Sequence, residues 1–256
     1  MSGFAAFFGK ELTEIVRTWR LYVLPGIMLF FGLASPIIAE VTPGLIASAA
    51  RAEGTGIVIE VPPATTVDAY VQWGANAGEV ALLALIIIAA GAIAGERTGG
   101  TAQMVLAKPV SRTAMLVAKL LSTWLLLGVS TIVSVVACIG VTAVVFDTSH
   151  VPRFLAVAAL WYLLACMLAA ATVTLSVLFR SQTGAAAAGV AVYIMMPIVS
   201  LWEPARDHSP AGLIGLGHRL LAGTEDALVF WPVVTGLAAI AGLTAFACWA
   251  FGRQDL

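Results

Sequence analysis

The residues best suited to a specific interaction lie between Glu96 and Arg112, in a polar, positively charged segment that separates two long apolar runs. Thr101 is a residue type that begins helices, and Pro109 is one that ends them. We therefore predict a short helix within this segment. A helix that joins the ends of two apolar runs is suited to receive force from a soluble partner. The alternative interpretation of the segment is an ordinary solvated basic loop.

Motifs for catalysis and for nucleotide binding are absent from the sequence. It holds no HExxH zinc motif and no GxSxG nucleophile motif. The segment Gly3–Lys10 ends like a phosphate-binding loop, but five residues separate its glycines and Glu11 replaces the Ser or Thr that would hold Mg²⁺. Loop histidines are more often solvated than metal-bound, so no metal site is predicted for His150, His208 and His218. We expect neither a catalytic residue nor a cofactor in this chain.

The composition is that of a membrane protein. Hydrophobic residues make up 61% of the 256 residues, charged residues make up 11%, and the mean hydropathy is +1.00. A soluble domain carries about 25% charged residues, so too little polar surface is present here to coat a globule. No stretch is long enough for a separate soluble domain, and residues 1–256 are predicted to form one transmembrane domain.

The apolar runs predict an all-α membrane protein with six transmembrane helices, since about 20 mostly apolar residues cross the hydrocarbon core. The predicted spans are residues 21–39, 80–95, 116–146, 154–179, 185–202 and 227–251. Glu79 and Lys119 are the charged residues nearest to the middle of a span, and both fall at run ends. Ionisable residues inside spans usually mark ion or proton relays, so their absence argues against an ion-coupled carrier and against an intramembrane enzyme.

The distribution of charge determines the predicted orientation. With both termini inside the cell, the inner segments hold nine of the 13 basic residues, and the outer segments hold ten of the 14 acidic residues. Basic residues concentrate on the cytoplasmic side of membranes. We therefore predict a multi-pass protein of the cell membrane whose two termini are cytoplasmic.

Three segments outside the spans carry patterns of their own. Residues 1–20 repeat apolar side chains at spacings of three and four, which predicts an amphipathic helix along the inner membrane surface; a simple cytoplasmic extension of the first span is the alternative. Residues 41–75 contain Pro62-Pro63 and little periodicity, so this outer segment is predicted to be mostly loop. Residues 203–226 are predicted to form short outer helices before the last span.

A stripe of small polar residues follows one face of the third span. Its members are Thr123, Ser130, Ser134 and Thr142, together with Cys138. The stripe is suited to line a translocation pathway or a contact with a second subunit. Small residues also let helices approach closely in lipid, which is the commoner use.

The order of residues between Glu96 and Arg112 resembles the first cytoplasmic loop of type-2 ABC transporter permeases, in which a Glu and a Gly-Thr precede a Leu-x-x-Pro-x-Ser-Arg stretch. Lys10-Glu11-Leu12 is similar to the N-terminal interfacial helix of that family, and Leu178–Ser181 is similar to its second inner turn. By this resemblance, the residues that dock an ATPase subunit are Glu96, Gly100, Thr101, Leu106, Lys108, Pro109, Ser111, Arg112, Arg180 and Ser181.

The resemblance implies the membrane subunit of an exporter, without an ATPase domain of its own. Two soluble ATPase subunits would bind and hydrolyse ATP with Mg²⁺, and the loop from Glu96 to Arg112 would be the coupling helix. A second permease chain, identical or homologous, would complete the pathway; membrane lipid is the other partner, and nothing indicates nucleic acid. The alternative is an ATPase-coupled scaffold or regulator of an envelope process that moves no solute. A route lined by apolar and small polar groups suits an amphipathic or lipid-like cargo or a hydrophobic drug.

Overall fold

The structure is a computed structural model that describes residues 2–52, 62–95, 111–223 and 230–253. Within these ranges the chain forms helices and no strand. In chain order they are α1 (Ser2–Arg17), α2 (Arg20–Ala52), α3 (Thr66–Asn76), a π-helix (Ala77–Ala81), α4 (Leu82–Ala90), α5 (Arg112–Val145), α6 (Val151–Leu178), α7 (Gln182–Val199), α8 (Glu203–His208), a 3-10 helix (Pro210–Gly212), α9 (Leu213–Leu221) and α10 (Phe230–Gly252).

Six helical segments of the described chain are long and apolar enough to cross a membrane. They are Arg20–Ala50, Thr66–Ala90, Arg112–Val145, Val151–Leu178, Gln182–Val199 and Phe230–Gly252. A helix satisfies its backbone hydrogen bonds within itself, which is what an apolar chain needs in lipid. The prediction of an all-α protein with six membrane spans is confirmed.

The first membrane helix is longer than predicted. α2 continues to Ala52, so the prediction of a loop was wrong for residues 41–52. Membrane helices tolerate proline because hydroxyl groups and neighbouring helices satisfy the backbone groups that it frees. In the turn around Pro43, Thr42 Oγ1 donates an additional hydrogen bond to the carbonyl of Ile38 (2.6 Å).

The second membrane helix begins well before its predicted start. Thr65 and Asp68 form a capping box that starts α3, in which the Asp68 carboxylate accepts a hydrogen bond from the Thr65 backbone N–H (2.8 Å). α3, the π-helix and α4 then follow one another as the single span Thr66–Ala90. Glu79 consequently lies near the middle of a span, so the prediction that no carboxylate does so was wrong. Ion-coupled transport is therefore not excluded by a lack of ionisable residues within the spans.

The core of the described chain centres on α6, which packs against α4, α5, α7, α9 and α10. Ala165, Leu168 and Ala169 on this helix are fully buried. Small residues allow close helix approach in lipid, where packing rather than a hydrophobic driving force holds helices together. α6 is therefore the element through which the other spans are positioned.

The two ends of the bundle carry different elements. We call one the terminal end, because it holds the described parts of both chain termini: Lys119 contacts Glu11 there, and Arg112 contacts Gly252. The opposite end holds the start of α3, the connection between α5 and α6, and the short helices α8 and α9. At the opposite end, Thr66 of α3 bonds to a carboxylate in the α5–α6 connection (2.7 Å).

Candidate functional site

Four of the ten predicted docking residues belong to the described part of the chain, and all four lie at the terminal end. They are Ser111, Arg112, Arg180 and Ser181. The other six lie outside the described residues, as does most of the predicted coupling helix. These six are Glu96, Gly100, Thr101, Leu106, Lys108 and Pro109.

The Glu96–Arg112 loop ends where α5 begins, and side-chain contacts fix this junction. The Ser111 hydroxyl caps α5 by accepting a hydrogen bond from the Ala114 backbone N–H (3.2 Å). Arg112 Nη1 donates to the carbonyls of Phe251 and Gly252 (3.5 Å each) in the last turn of α10. A cation is favourable at the C-terminus of a helix, so Arg112 joins the end of the loop to the last span.

The same loop starts just after α4, and Ser176 of α6 holds that junction. The Ser176 hydroxyl donates to the carbonyl of Ala90 (2.7 Å) and accepts from the backbone N–H groups of Ile93 (3.1 Å) and Ala94 (2.9 Å). One side chain therefore satisfies three backbone groups where the helix breaks into a turn. Sequence analysis missed Ser176, because a serine within an apolar run does not reveal which backbone it contacts.

Two glycines make room for Gln182 beside this junction. A Cβ atom added at Gly91 would lie 3.1 Å from Gln182 Nε2, and one added at Gly95 would lie 3.6 Å from Gln182 Oε1. Gln182 is the first residue of α7. The end of α4 and the start of α7 are therefore in direct contact at the terminal end.

The predicted second docking contact is the turn that precedes Gln182. Ser181 caps α7, since its hydroxyl accepts a hydrogen bond from the Gly184 backbone N–H (3.1 Å). Arg180 comes before it with an exposed side chain. The structure thus brings the Arg180–Ser181 turn next to the point where the Glu96–Arg112 loop begins.

A buried ion pair joins α1 to α5. Lys119 Nζ lies 3.1 Å from each carboxylate oxygen of Glu11, and the two side chains are 4% and 3% exposed. Lys10 extends the network by contacting Glu11 (3.0 Å) and Glu14 (2.8 Å). Sequence analysis named Glu11 and Lys119 separately but did not pair them, because 108 residues of chain separate them.

The exposed part of this network stays ionised at neutral pH. Burial by itself would lower the pKa of Lys10, but its hydrogen bonds to Glu14 and Glu11 outweigh burial and raise that pKa. Burial would raise the pKa of Glu14, but the hydrogen bond from Lys10 outweighs it and that pKa is lowered. Each charge therefore stabilises the other in the second half of α1.

The small polar stripe on α5 lies inside the described chain. Its buried members are Thr123, Ser130, Ser134, Cys138 and Thr142. Ser134 accepts a hydrogen bond from Trp73 Nε1 (2.8 Å) and donates to the carbonyl of Met28. A Cβ atom at Gly32 would collide with the Ser134 backbone, so α2 and α5 approach each other closely there. At Ser134 the stripe therefore serves the close packing of α2 against α5 within one chain.

A pocket of about 250 Å³ lies between the second span, α6, α7 and α9. Its walls are mostly apolar, and its polar lining residues are Tyr70, Glu79, Trp161, Tyr193 and His218. The Tyr70 ring stacks on Phe154 at a centroid distance of 4.1 Å, and Trp161 packs edge-on against Trp73 at 5.8 Å. Sequence analysis did not predict this pocket, because its wall on the second span was taken for a loop.

Comparison with known proteins identifies relatives of this helical bundle. A sequence profile for the family described as "ABC-2 family transporter protein" matches residues 5–203, from α1 to just beyond α7. The chain is also similar to the uncharacterized transmembrane protein YxlG of Bacillus subtilis (strain 168). The two are 26% identical over 257 residues, which cover 98% of this chain and 97% of that protein.

Proposed function

Because the chain belongs to the ABC-2 family of transporter proteins, as its resemblance to the type-2 permeases predicted, we propose that it is the permease subunit of an ATP-driven exporter. ATP and Mg²⁺ would be bound and consumed in two separate ATPase subunits, and a second permease chain would complete the pathway. The proposed location is the cell membrane, with the terminal end and both chain termini in the cytoplasm.

One set of contacts at the terminal end supports this proposal. It joins the end of α4, where the Glu96–Arg112 loop begins, to α6 and to the start of α7. Ser176 bonds to the turn that leads into the Glu96–Arg112 loop, and Gln182 packs against Gly91 and Gly95. Force applied to the loop would therefore reach α4, α6 and α7 together, and Arg112 would pass it to α10. Coupling between distant sites needs such a contiguous set of packed and hydrogen-bonded elements.

The N-terminal helix fits the same role. α1 exposes the large apolar side chains of Phe4 and Val16, and Trp19 is exposed just after it. An exposed apolar face beside a charged one is typical of a helix that lies in the membrane interface. We place α1 along the inner surface of the membrane, where the Glu11–Lys119 pair would make it move with α5.

Co-purification with the ATPase encoded by a neighbouring gene tests the proposal. In the reconstituted complex, the double change Leu106→Ala and Arg112→Ala is expected to lower coupled ATP turnover and transport about tenfold, which corresponds to about 1.4 kcal/mol of lost docking free energy. Membrane insertion should not change. The matched control is the double change Leu201→Ala and Arg153→Ala, which removes the same residue types from exposed positions at the opposite end.

The outcomes separate the exporter from its alternative. Unchanged transport in the Leu106→Ala and Arg112→Ala variant, or equal loss in the control, would contradict docking at this loop. An ATPase that binds the wild-type chain and turns over ATP without moving any solute across vesicles would favour the scaffold or regulator instead.

A further inference from the structure

Glu79 occupies a position that is costly for a carboxylate. It lies near the middle of the Thr66–Ala90 span, within the π-helix, and its side chain is exposed. Within the described residues, no basic side chain pairs with it. Charged groups are costly in hydrocarbon and usually mark a functional site, and π-helical turns are also frequent at such sites. A cation bound next to Glu79 would offset the cost of its charge.

The pocket beside Glu79 extends along the second span. Along the second span its lining runs from Tyr70 through Gly74 to Leu82, which corresponds to roughly 18 Å of helix. Its volume is about 250 Å³, and an engineered apolar cavity of about 150 Å³ holds a benzene molecule. The pocket is therefore large enough for an alkyl chain that ends in a small head group.

Glu79 and an aromatic residue line the same pocket. Tyr193 of α7 also lines the pocket, and its hydroxyl donates a hydrogen bond to the carbonyl of Gly78, the residue before Glu79 (2.8 Å). A carboxylate with an aromatic ring is the combination that attracts organic ammonium groups. A metal ion would need more oxygen, nitrogen or sulfur ligands, and the described residues hold no group of three such side chains.

Farther along the pocket, two buried polar groups have no hydrogen-bond partner in the described structure. They are the Tyr70 hydroxyl and Trp161 Nε1, on side chains that are fully buried and 7% exposed, respectively. Trp161 Nε1 can only donate, so it needs an acceptor, and buried donors nearly always have one. Each of the two atoms has less than 1 Å² of accessible surface, so an oxygen atom of a ligand would satisfy this requirement once the pocket wall shifts to admit it. Tyr70 precedes Glu79 by roughly 13 Å of helix.

We propose that this pocket binds an elongated amphipathic cation. Its ammonium group lies at Glu79 and Tyr193, its apolar chain fills the pocket, and an acceptor oxygen lies near Tyr70 and Trp161. The site belongs to a single chain, so the proposal goes beyond the exporter function and does not depend on coupling to an ATPase.

Calorimetric titration of the purified full-length chain in lipid nanodiscs tests the proposal. The probe is (8-hydroxyoctyl)trimethylammonium, which has a quaternary ammonium group and a hydroxyl group at opposite ends of one chain. The matched probe has a tert-butyl group in place of the trimethylammonium, which keeps the shape and removes the charge. Each titration is corrected with empty nanodiscs, because both probes also partition into lipid.

The cationic probe is expected to bind saturably, with one site per chain, and at least about tenfold more tightly than the neutral probe. Glu79→Gln should abolish this preference, whereas Glu40→Gln, which alters an exposed carboxylate of α2, should keep it. Gly74→Leu should block binding of both probes, because it adds a side chain where a Cβ atom has open space. Gly215→Leu is the control, since that glycine of α9 also has open space but does not line the pocket.

Results of three kinds would overturn the proposal. They are the absence of saturable binding to the wild-type chain, equal affinity for the charged and neutral probes, and unchanged binding in a folded Gly74→Leu variant. The comparison of probes uses the wild-type chain alone, so it decides the question even if a variant fails to fold. None of these measurements requires the ATPase, so failure here leaves the exporter proposal standing.

Discussion

Buried polar groups are hydrogen-bonded at the terminal end, whereas two of those at the pocket have no described hydrogen-bond partner. At the terminal end, the Lys119 ammonium bonds to both oxygens of Glu11, and the Ser176 hydroxyl bonds to three backbone groups. In the pocket, the Tyr70 hydroxyl and Trp161 Nε1 have no described partner. A paired polar network rigidifies a structure, whereas unpaired groups beside a cavity leave interactions for a ligand.

This difference suggests that the end and the middle of the second span have different functions. Its end at Ala90 is fixed to α6 through Ser176, while its middle widens into a π-helix beside a cavity. A fixed end transmits displacement, and a widened middle accommodates a change of occupant. Under the two proposals, one span would connect the loop at which the ATPase subunit docks to the pocket in which the cation binds.

The largest expected effect concerns the ion pair of the terminal end. Glu11→Gln should lower the free energy of unfolding by about 3–5 kcal/mol, because it removes the carboxylate that contacts the buried Lys119 ammonium. Lys119→Met should cost less, since Lys10 still contacts Glu11. The measurement is equilibrium unfolding in mixed micelles. The double change Glu11→Leu and Lys119→Met should cost much less than the sum of the single changes, since a buried pair can be replaced by apolar groups.

If both single changes lower the free energy of unfolding by less than about 1 kcal/mol, the pair contributes no more to stability than an exposed ion pair does. The contrast between the two regions would then lose its strongest example. Glu79→Gln provides the comparison within the pocket. Because no described basic residue pairs with Glu79, this change should not destabilise the chain.

The second prediction concerns the hydroxyl that fixes the end of α4. Ser176→Ala should lower the free energy of unfolding by about 1–3 kcal/mol, because two buried backbone N–H groups lose their acceptor. Ser130→Ala is the matched control, since Ser130 is equally buried but donates to the Leu126 carbonyl of its own helix. Equal effects of the two changes in the same unfolding experiment would contradict the special role of Ser176.

The sequence predicts the elements of this fold better than their ends. Long apolar runs identify the six spans, because length and hydropathy decide whether a helix can cross a membrane. The bounds predicted for the first two spans were wrong where polar residues and prolines occur within them. Asp68 and Glu79 interrupt the apolar pattern of the second span, and Pro43 interrupts the first, although all three lie in helices. Membrane helices accept such residues when neighbouring groups satisfy them.

The candidate sites could be predicted in part from local sequence patterns. The order of loop residues pointed to the Glu96–Arg112 segment, and Ser111 and Ser181 cap helices as residue type suggests. The contacts of Ser176 and Gln182 and the pairing of Glu11 with Lys119 join residues that are far apart in the chain. Such contacts depend on tertiary packing, which periodicity along one helix does not encode.

The third prediction compares the effect on stability of a larger side chain at two glycines. Gly74 lies within the second span, and Gly91 lies directly after its end. Gly91→Leu should lower the free energy of unfolding by about 1 kcal/mol, because its side chain must displace Gln182. Gly74→Leu should leave stability unchanged or raise it by up to about 1 kcal/mol, because leucine favours helix and the pocket offers space. Unfolding of the two variants side by side checks this. A Gly74→Leu variant less stable than Gly91→Leu would show that the pocket is packed more tightly than the terminal end.

The smallest expected effect lies at the opposite end, where the polar contact is exposed. Hydrogen bonds from Ser149 and Thr66 lower the pKa of Asp147 from 3.8 to about 2. Because this pKa is lowered on folding, the contact stabilises the chain above the ordinary pKa, and the contribution disappears as pH falls from about 4 to about 2. Melting temperatures of wild type and Asp147→Asn should therefore differ slightly at neutral pH and converge in acid. A difference that persists at pH values below about 2 would mean that Asp147 acts through packing and not through its charge.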